Sequence, residues 1–349
     1  RLWFTCAPGI PDVAGARLPG RGTIITIPSA TVVPDLRQSK TDNRPGVLEF
    51  MRLVPRSVLF VPGNRPDMFE KAAGAPAGVI FPDMEDAVPW GEKRAARRDI
   101  AANLEKLGSA GVPIVPRLNS LDTGLFEEDL EAVIGPLIVG VSVGKVRSAG
   151  DVRRIDAIIT ASERRNDLRP GRISIYPWIE TARAIARACE VCGASPRIAA
   201  VCFGAEDFSA DVGIAKDLGG WASSTSSDDP NGPSVAHARG EIIAASVSAG
   251  VGALDTPYVA FRDPEGLARE TAVARSMGFN GKCAIHPAQL EIINAGFTPS
   301  EEEITNAGRI VAASDEAEER GSGATSLDGK MIDRPTVVRA KNLLASLAD

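Results

Sequence analysis

Charged residues standing directly behind short apolar runs are what could do chemistry in this chain. A run at 78–82 leads into Asp83-Met84-Glu85-Asp86, one at 113–116 into Arg117-Leu118-Asn119, and one at 139–143 into Gly144-Lys145. Trp178-Ile179 precedes Glu180-Thr181, and Phe203 precedes Gly204-Ala205-Glu206-Asp207. Two further runs end in Asp255 and in His286-Pro287. A charge set against an apolar run costs free energy unless it pairs, binds a metal or faces a wet pocket. Seven such ends in one chain are hard to read as surface decoration. The set is rich in carboxylates and has no His or Cys cluster, which favours a hard cation such as Mg²⁺ held by oxygen ligands and water. Glu180 and Asp207 make the best ligand pair, because consecutive runs in adjacent strands would bring their ends together. Arg117 would bear on the same negative charge that the cation polarises. For Glu180 alone the competing reading is a carboxylate at a helix N-terminus, favoured by the helix dipole.

Signals for a phosphate-bearing partner are of two kinds. Gly140-Val-Ser-Val-Gly144-Lys145 looks like a P-loop but is one residue short and has no Ser or Thr after the lysine, so it is excluded. Arg56, Arg65, Lys71, Lys93, Arg94 and Arg97 gather around the first two apolar runs. Singly each reads as a solvated helix face; as a cluster near Pro62-Gly63-Asn64 they could hold an anionic cofactor tail.

The elements that must position these groups follow from periodicity. Strands are expected at 57–61, 78–82, 113–118, 139–146, 172–179, 197–203, 253–259 and 282–285. Between them, helical patterns run over 66–75, 91–107, 126–134, 151–164, 181–192, 236–249 and 264–277. Apolar runs of this length spaced by helices indicate parallel strands buried on both faces. Eight of them point to an α/β chain closed into a (β/α)₈ barrel, whose working residues lie at the carboxyl ends of the strands. The rival, a doubly wound open sheet, lacks a strand leading into a G-x-G-x-x-G turn. A polar Ser/Asp/Gly loop at 218–235 interrupts the repeat. After the eighth strand come a helix at 300–320, a Gly/Ser break and a last helix at 335–347. That C-terminal hairpin is suited to reach a neighbouring subunit or to form a lid.

Composition bounds the rest. The chain has 349 residues, 44% hydrophobic and 24% charged, and a formal charge of −6. That acidic balance disfavours nucleic acid or an anionic membrane as partner, and no apolar run is long enough to span a bilayer. Five cysteines are an odd, sparse set, and with only two histidines Cys189-x-x-Cys192 reads as structural thiols rather than a zinc site. A reducing, cytoplasmic setting is expected. Residues 1–50 are rich in Pro, Gly, Ser and Thr and unpatterned, which suggests a disordered or non-native extension with Met51 as the start. The expected division is therefore 1–50, a catalytic barrel at 51–297 and a C-terminal helical extension at 298–349.

Motifs spread along the chain in order carry a resemblance. They are RSVLFVPGN (56–64), DMEDAV (83–88), EKRAAR (92–97), RLN (117–119), IETARA (179–184), FGAEDFSADVG (203–213), GFNGKCAIHPAQ (278–289), FTPSEEEI (297–304) and DGKMIDRP (328–335). From Arg56 to about Ala345 the chain resembles the citrate lyase β-subunit-like and malyl-CoA lyase family of the HpcH/HpaI aldolase–citrate lyase superfamily. The resemblance implies a (β/α)₈ barrel, trimeric or hexameric, with Mg²⁺ (or Mn²⁺ in its place) at the strand ends and CoA as part of the substrate. It implies metal ligands at Glu180 and Asp207, and catalytic or orienting roles for Arg117, Glu85 and Asp86. It places Arg56, Lys71, Lys93 and Arg97 near the CoA tail and Asn119 beside the substrate. It gives Asp333 to a neighbouring subunit's site as the group that moves the thioester's α-proton. The implied reaction is cleavage or formation of a 3-hydroxyacyl-CoA, with malyl-CoA hydrolysis or a citryl-ACP lyase subunit as alternatives. Two departures from the family pattern stand out: Gly144 where a proline is usual before Lys145, and the long loop at 219–235.

Overall fold

The structure is a computed structural model that describes residues 53–214, 232–321 and 325–347. The proposed extension at 1–50 and most of the polar loop at 218–235 lie outside the described residues. Eight parallel strands form a closed barrel in chain order: β1 (Ser57–Pro62), β2 (Val79–Asp83), β3 (Arg117–Leu118), β4 (Gly140–Val143), β5 (Ser174–Ile179), β6 (Ala200–Phe203), β7 (Gly252–Asp255) and β8 (Gly281–Ala284). Closure is direct: Ser57, Val58 and Leu59 of β1 pair in register with Lys282, Cys283 and Ala284 of β8. All eight expected strands form, and the ladder is shorter than the apolar runs at several ends. β3 keeps only two ladder residues, with Ile114 joined to Ile80 by an isolated bridge.

Alternation along each strand separates two apolar layers. One side fills the barrel: Val58, Val79, Phe81, Val115, Tyr176, Trp178, Ala200, Cys202, Leu254 and Cys283 form one buried cluster with Phe60 against it. Phe60 meets Phe81 edge-on at 5.4 Å and Trp178 at 5.7 Å between ring centres. The Trp178 indole N–H donates to Ser142 Oγ at 2.8 Å, and at the opposite end Tyr176 donates its hydroxyl to the Leu53 carbonyl at 2.7 Å. The interior is thus a packed plug rather than a pore, and the site must sit on top of it.

The other side packs on the helices: α1 (Phe69–Ala73), α2 (Lys93–Ala102), α3 (Leu104–Leu107), α4 (Phe126–Val133), α5 (Ala149–Arg165), α6 (Ala182–Ile185), α7 (Ala188–Cys192), α8 (Ala205–Asp211), α9 (Gly232–Ala249), α10 (Pro264–Met277) and α11 (Leu290–Phe297). Their ends carry local signals. Ser148 caps α5, Thr181 caps α6, and Asp263 with Pro264 opens α10, which stops at Gly278 with φ 106°. The single helix expected over 181–192 is two, because Arg187 (φ −128°) leaves helical geometry between α6 and α7. Cys192 is buried and Cys189 exposed, both free thiols.

Beyond the barrel, α12 (Glu301–Glu319) opens on a capping box in which Ser300 and Glu303 exchange hydrogen bonds. It is followed by a small antiparallel pair, β9 (Thr325–Leu327) and β10 (Lys330–Ile332), and by α13 (Arg334–Ala345). The β-pair was not expected: a Gly/Ser break turns out to flank a hairpin whose turn at Asp328-Gly329 has positive φ at both residues, 51° and 76°. A cavity of about 400 Å³ lies among α12, β9 and α13, with Asp333 and Lys341 on its wall. Among the described residues, no helix is long and apolar enough to cross a membrane.

Candidate active site

The carboxyl ends of β2 to β6 converge. Asp83 ends β2 opposite Arg117 of β3 in the ladder, and Ile179, next to Glu180, pairs with Phe203 at the end of β6. Arg117 is the hub. Its Nε and one terminal nitrogen clasp Asp83 at 2.8 and 2.5 Å. The other terminal nitrogen lies 3.1 Å from Glu85 and 3.5 Å from Asp86. Beneath it, the guanidinium rests over the Phe60 ring at 4.8 Å and the Trp178 ring at 5.8 Å. The barrel plug therefore fixes the fork from below while Asp83 fixes it from the side. Burial works against this cation, but Asp83, Glu85 and Asp86 outweigh it and hold its proton more tightly than usual. Asp83, fully buried, also accepts the backbone N–H groups of Glu85 and Ala87 at 2.7 and 3.1 Å, tying the acidic loop to the strand end. Sequence reasoning named Asp83 as a strand end and gave it no role; its place directly before Glu85-Asp86 was the available signal.

Lys145 occupies the next corner. Its ammonium bridges Glu85 at 3.1 Å and Asp86 at 2.8 Å. Its backbone N–H donates to Glu180 Oε1 at 2.5 Å. Lys145 has a positive φ of 56°, a conformation uncommon outside glycine. At the neighbouring Gly144 a Cβ would stand 2.6 Å from Glu85 Oε1, so a larger residue there would push the Glu85 carboxylate aside.

Glu180 is 2% exposed. Its carboxyl is pushed up to about 8, first by burial and then by the charges of Asp207 and Glu85. Glu85 is pushed up to about 7, again mainly by burial, with Arg117 opposing. Asp207, in the exposed first turn of α8, is raised by burial and by Asp86. Gly204 lets Glu180 lie flat against the β6 turn, since a Cβ on it would fall 2.3 Å from Glu180 Oε2. Asp83, Glu85, Asp86, Glu180 and Asp207 oppose Arg117, Lys145 and Lys93, so with every group ionised the cluster has a surplus of two negative charges. A divalent cation would neutralise that surplus. Among the described residues no group of three or more His, Cys, Asp or Glu side chains is arranged as a ready metal cage. Two carboxylates, Glu180 and Asp207, with the remaining positions open, fit Mg²⁺, which keeps several waters and is often held by one or two carboxylates.

Other expected site residues are placed differently. Lys93, 7% exposed, donates to the Met84 and Glu85 carbonyls at 2.9 and 2.6 Å. It buttresses the acidic loop from within, where burial lowers its pKa. Arg97 is held by Asp129 at 2.7 Å and Glu128 at 2.5 Å. Asn119 is fully buried and spends both its backbone and side-chain N–H on the same Asp129, with Oδ1 unpartnered. Arg56 precedes β1 and so stands at the amino end of the barrel, one strand length (roughly 20 Å) below the site, near Thr298. That position keeps it apart from the strand-end cluster. Lys71 is exposed on α1. Asp255 does not join the site either: it turns outward to Arg239 (3.0 Å) and Lys282 (2.8 Å), which also meet Glu270, as a buried charged quartet between barrel and helices. Asp333 caps α13, accepting the Thr336 N–H at 3.0 Å and hydroxyl at 2.7 Å, which hold its carboxyl below the ordinary value.

Comparison with known proteins gives the family and the fold. The chain is 36% identical over 290 residues to a (3S)-malyl-CoA thioesterase of Cereibacter sphaeroides, covering 83% of this chain and 93% of that protein. It is 35% identical over 294 residues to an L-malyl-CoA/beta-methylmalyl-CoA lyase of the same species, covering 82% and 92%. Among solved structures, the CitE protein of Mycobacterium tuberculosis in complex with magnesium, acetoacetate and coenzyme A superposes with a TM-score of 0.67 at 29% identity, over 86% of this chain and 100% of that one. A profile for C–C bond lyases of the TIM-barrel fold matches residues 235–345, and the profile for HpcH/HpaI aldolase/citrate lyase matches residues 56–287. The chain belongs to the HpcH/HpaI aldolase/citrate lyase family.

Proposed function

We propose that the protein is a Mg²⁺-dependent carbon–carbon lyase that cleaves or forms a 3-hydroxyacyl-CoA, such as malyl-CoA or citramalyl-CoA, with acetyl-CoA and a 2-keto acid as the other partners. The observation that carries this is the strand-end cluster: a carboxylate pair, Glu180 and Asp207, beside an arginine fork already oriented by Asp83 over an aromatic floor. Glu180 and Asp207 would hold the cation, whose chemistry is that of a Lewis acid for the keto-acid oxygens, and Mn²⁺ would serve in its place. Arg117 faces the negative charge that develops as the C2–C3 bond breaks, and its fixed fork needs no reorganisation at that moment. In cleavage a base takes the hydroxyl proton, the bonding pair passes into the thioester enolate, and a proton delivered to that carbon completes acetyl-CoA. Glu85 and Asp86, held by Arg117 and Lys145, would order water and substrate around the cation. Asp333 of a neighbouring copy would carry the α-proton, in a homotrimer or hexamer whose C-terminal extensions reach adjacent sites. Lys71, exposed on α1, would contact the CoA tail. The reading places the enzyme in the cytoplasm.

The test is mass spectrometry of products after incubation with malyl-CoA or (S)-citramalyl-CoA, with Mg²⁺ and with EDTA. Acetyl-CoA plus glyoxylate or pyruvate, abolished by EDTA, is expected. Free CoA plus malate would make the protein a thioesterase, like the relative of that name. No turnover of either ester would favour a subunit acting on a citryl thioester of a carrier protein.

A further inference from the structure

The cluster holds more carboxylates than the cation should take. Glu85 and Asp86 are as close to the strand ends as Glu180 and Asp207, and nothing in carboxylate chemistry stops them from ligating a hard cation. What distinguishes them is their partners. Lys145 Nζ meets one oxygen of each, Glu85 Oε1 at 3.1 Å and Asp86 Oδ1 at 2.8 Å. Arg117 meets the other oxygen of each, Glu85 Oε2 at 3.1 Å and Asp86 Oδ2 at 3.5 Å. All four oxygens of the acidic pair therefore face a fixed cation. Among the described residues, Glu180 instead receives the neutral backbone N–H of the same Lys145. One residue, in a left-handed backbone conformation, thus treats the two sets of carboxylates differently: charge to one, a main-chain hydrogen bond to the other.

We propose that Lys145 is a positioning residue that decides which carboxylates ligate the metal. By neutralising Glu85 and Asp86 it keeps them out of direct coordination and so leaves positions open for water and keto acid. The inference rests on Glu180 and Asp207 being the metal pair and gives Lys145 a role that neither the cluster's net charge nor the reaction type requires. Without the ammonium, Glu85 or Asp86 turns to the cation. Metal binding then becomes tighter while the site becomes less able to admit substrate. A residue that only supported the fold would do the reverse and loosen the metal.

The experiment compares wild type with Lys145→Met, Lys145→Gly and Lys145→Arg, using Mn²⁺ alone as the probe. Electron paramagnetic resonance of free Mn²⁺ gives affinity, and water-proton relaxation gives the number of exchanging waters on the bound ion. Lys145→Gly retains the left-handed backbone at no steric cost, so it separates the ammonium from the main chain. Both Met and Gly variants should bind Mn²⁺ about tenfold more tightly than wild type, with lower relaxivity per bound ion, and Lys145→Arg should stay close to wild type. Unchanged or weaker affinity in the Met and Gly variants would overturn the proposal. So would tighter binding with unchanged relaxivity, which marks a through-space charge effect without a change of ligands. A Gly variant that behaves like wild type would assign any Met effect to crowding and also overturn it. Wild type that binds no Mn²⁺ sinks the metal reading itself, and failure to cleave any acyl-CoA sinks the lyase reading while leaving the Mn²⁺ comparison intact.

Discussion

Replacing Gly204 by alanine should inactivate the enzyme without unfolding it. The added Cβ would stand 2.3 Å from Glu180 Oε2 and 2.6 Å from Glu180 Cβ, well inside the 3.4 Å of ordinary contact. Gly204 itself has φ −103° and ψ 85°, so the strain falls on its neighbour rather than on its own backbone. A new rotamer of Glu180 relieves the Oε2 contact, but the Cβ contact is relieved only if the ends of β5 and β6 shift, and such overpacking costs about 1–3 kcal/mol. Alanine returns about 0.4–1 kcal/mol by restricting the unfolded chain, which offsets part of that cost in stability. Position is not offset: a 1 Å misplacement in a catalytic constellation can cost about 10²-fold in rate. Calorimetry should therefore show Tm within a few degrees of wild type, while Mn²⁺ affinity falls at least about tenfold and kcat about 100-fold. Gly240→Ala is the control, because it lies in α9 with nothing near its added Cβ. It should stabilise by about 0.5–1 kcal/mol and leave the metal alone. Unchanged metal affinity and turnover in Gly204→Ala would refute the claim that Glu180's seat against β6 matters.

Three further outcomes are expected. Arg117→Lys cannot keep both the Asp83 clasp and the contacts to Glu85 and Asp86, and kcat should fall about 10²–10³-fold in steady-state assays. Arg56→Ala should leave KM for acyl-CoA within about twofold of wild type, whereas Lys71→Ala should raise it about 3–10-fold. Asp255 is fully buried, and although burial opposes its charge, Lys282 and Arg239 prevail and hold its pKa below the ordinary value. Its contribution is present above the unfolded-state pKa near 3.9 and is lost as pH falls through the lower folded value. Asp255→Asn should cost about 3–5 kcal/mol at pH 7 by leaving the buried cations under-compensated. In denaturant titrations the loss of stability between pH 4 and pH 2 should become shallower than in wild type.

The barrel was legible because each strand is an apolar run long enough to be buried on both faces, and because Thr181, Asp263, Ser300 and Gly278 mark helix ends locally. The convergence of Glu85, Asp86, Arg117 and Glu180 followed from the same logic, since parallel strands in sequence order put their carboxyl ends side by side. What sequence could not tell was which way a charge points. Asp255 and Lys282 end or cross strands as the site residues do, yet alternation turns them outward to Arg239 and Glu270. Lys93 and Arg97 look like free cations until Met84, Glu85 and Asp129, set by chain folding rather than spacing, are brought against them. Arg56 sits in a motif close to site residues in sequence but at the other end of its strand in space. The hairpin at Thr325–Ile332 was hidden because two three-residue strands carry too little periodicity to read.

The aromatic plug under Arg117 has a consequence for how such an enzyme diversifies. Phe60, Phe81, Tyr176 and Trp178 interlock across three strands, so a change in any one of them disturbs the fork that rests on top. The βα loops above are joined to one another only where Glu85, Asp86, Lys145 and Glu180 meet among the described residues, and beyond that cluster they can be exchanged. Heritable variation is thereby split: the foundation drifts only through paired, mutually repairing substitutions, while substrate range is free to wander through the loops.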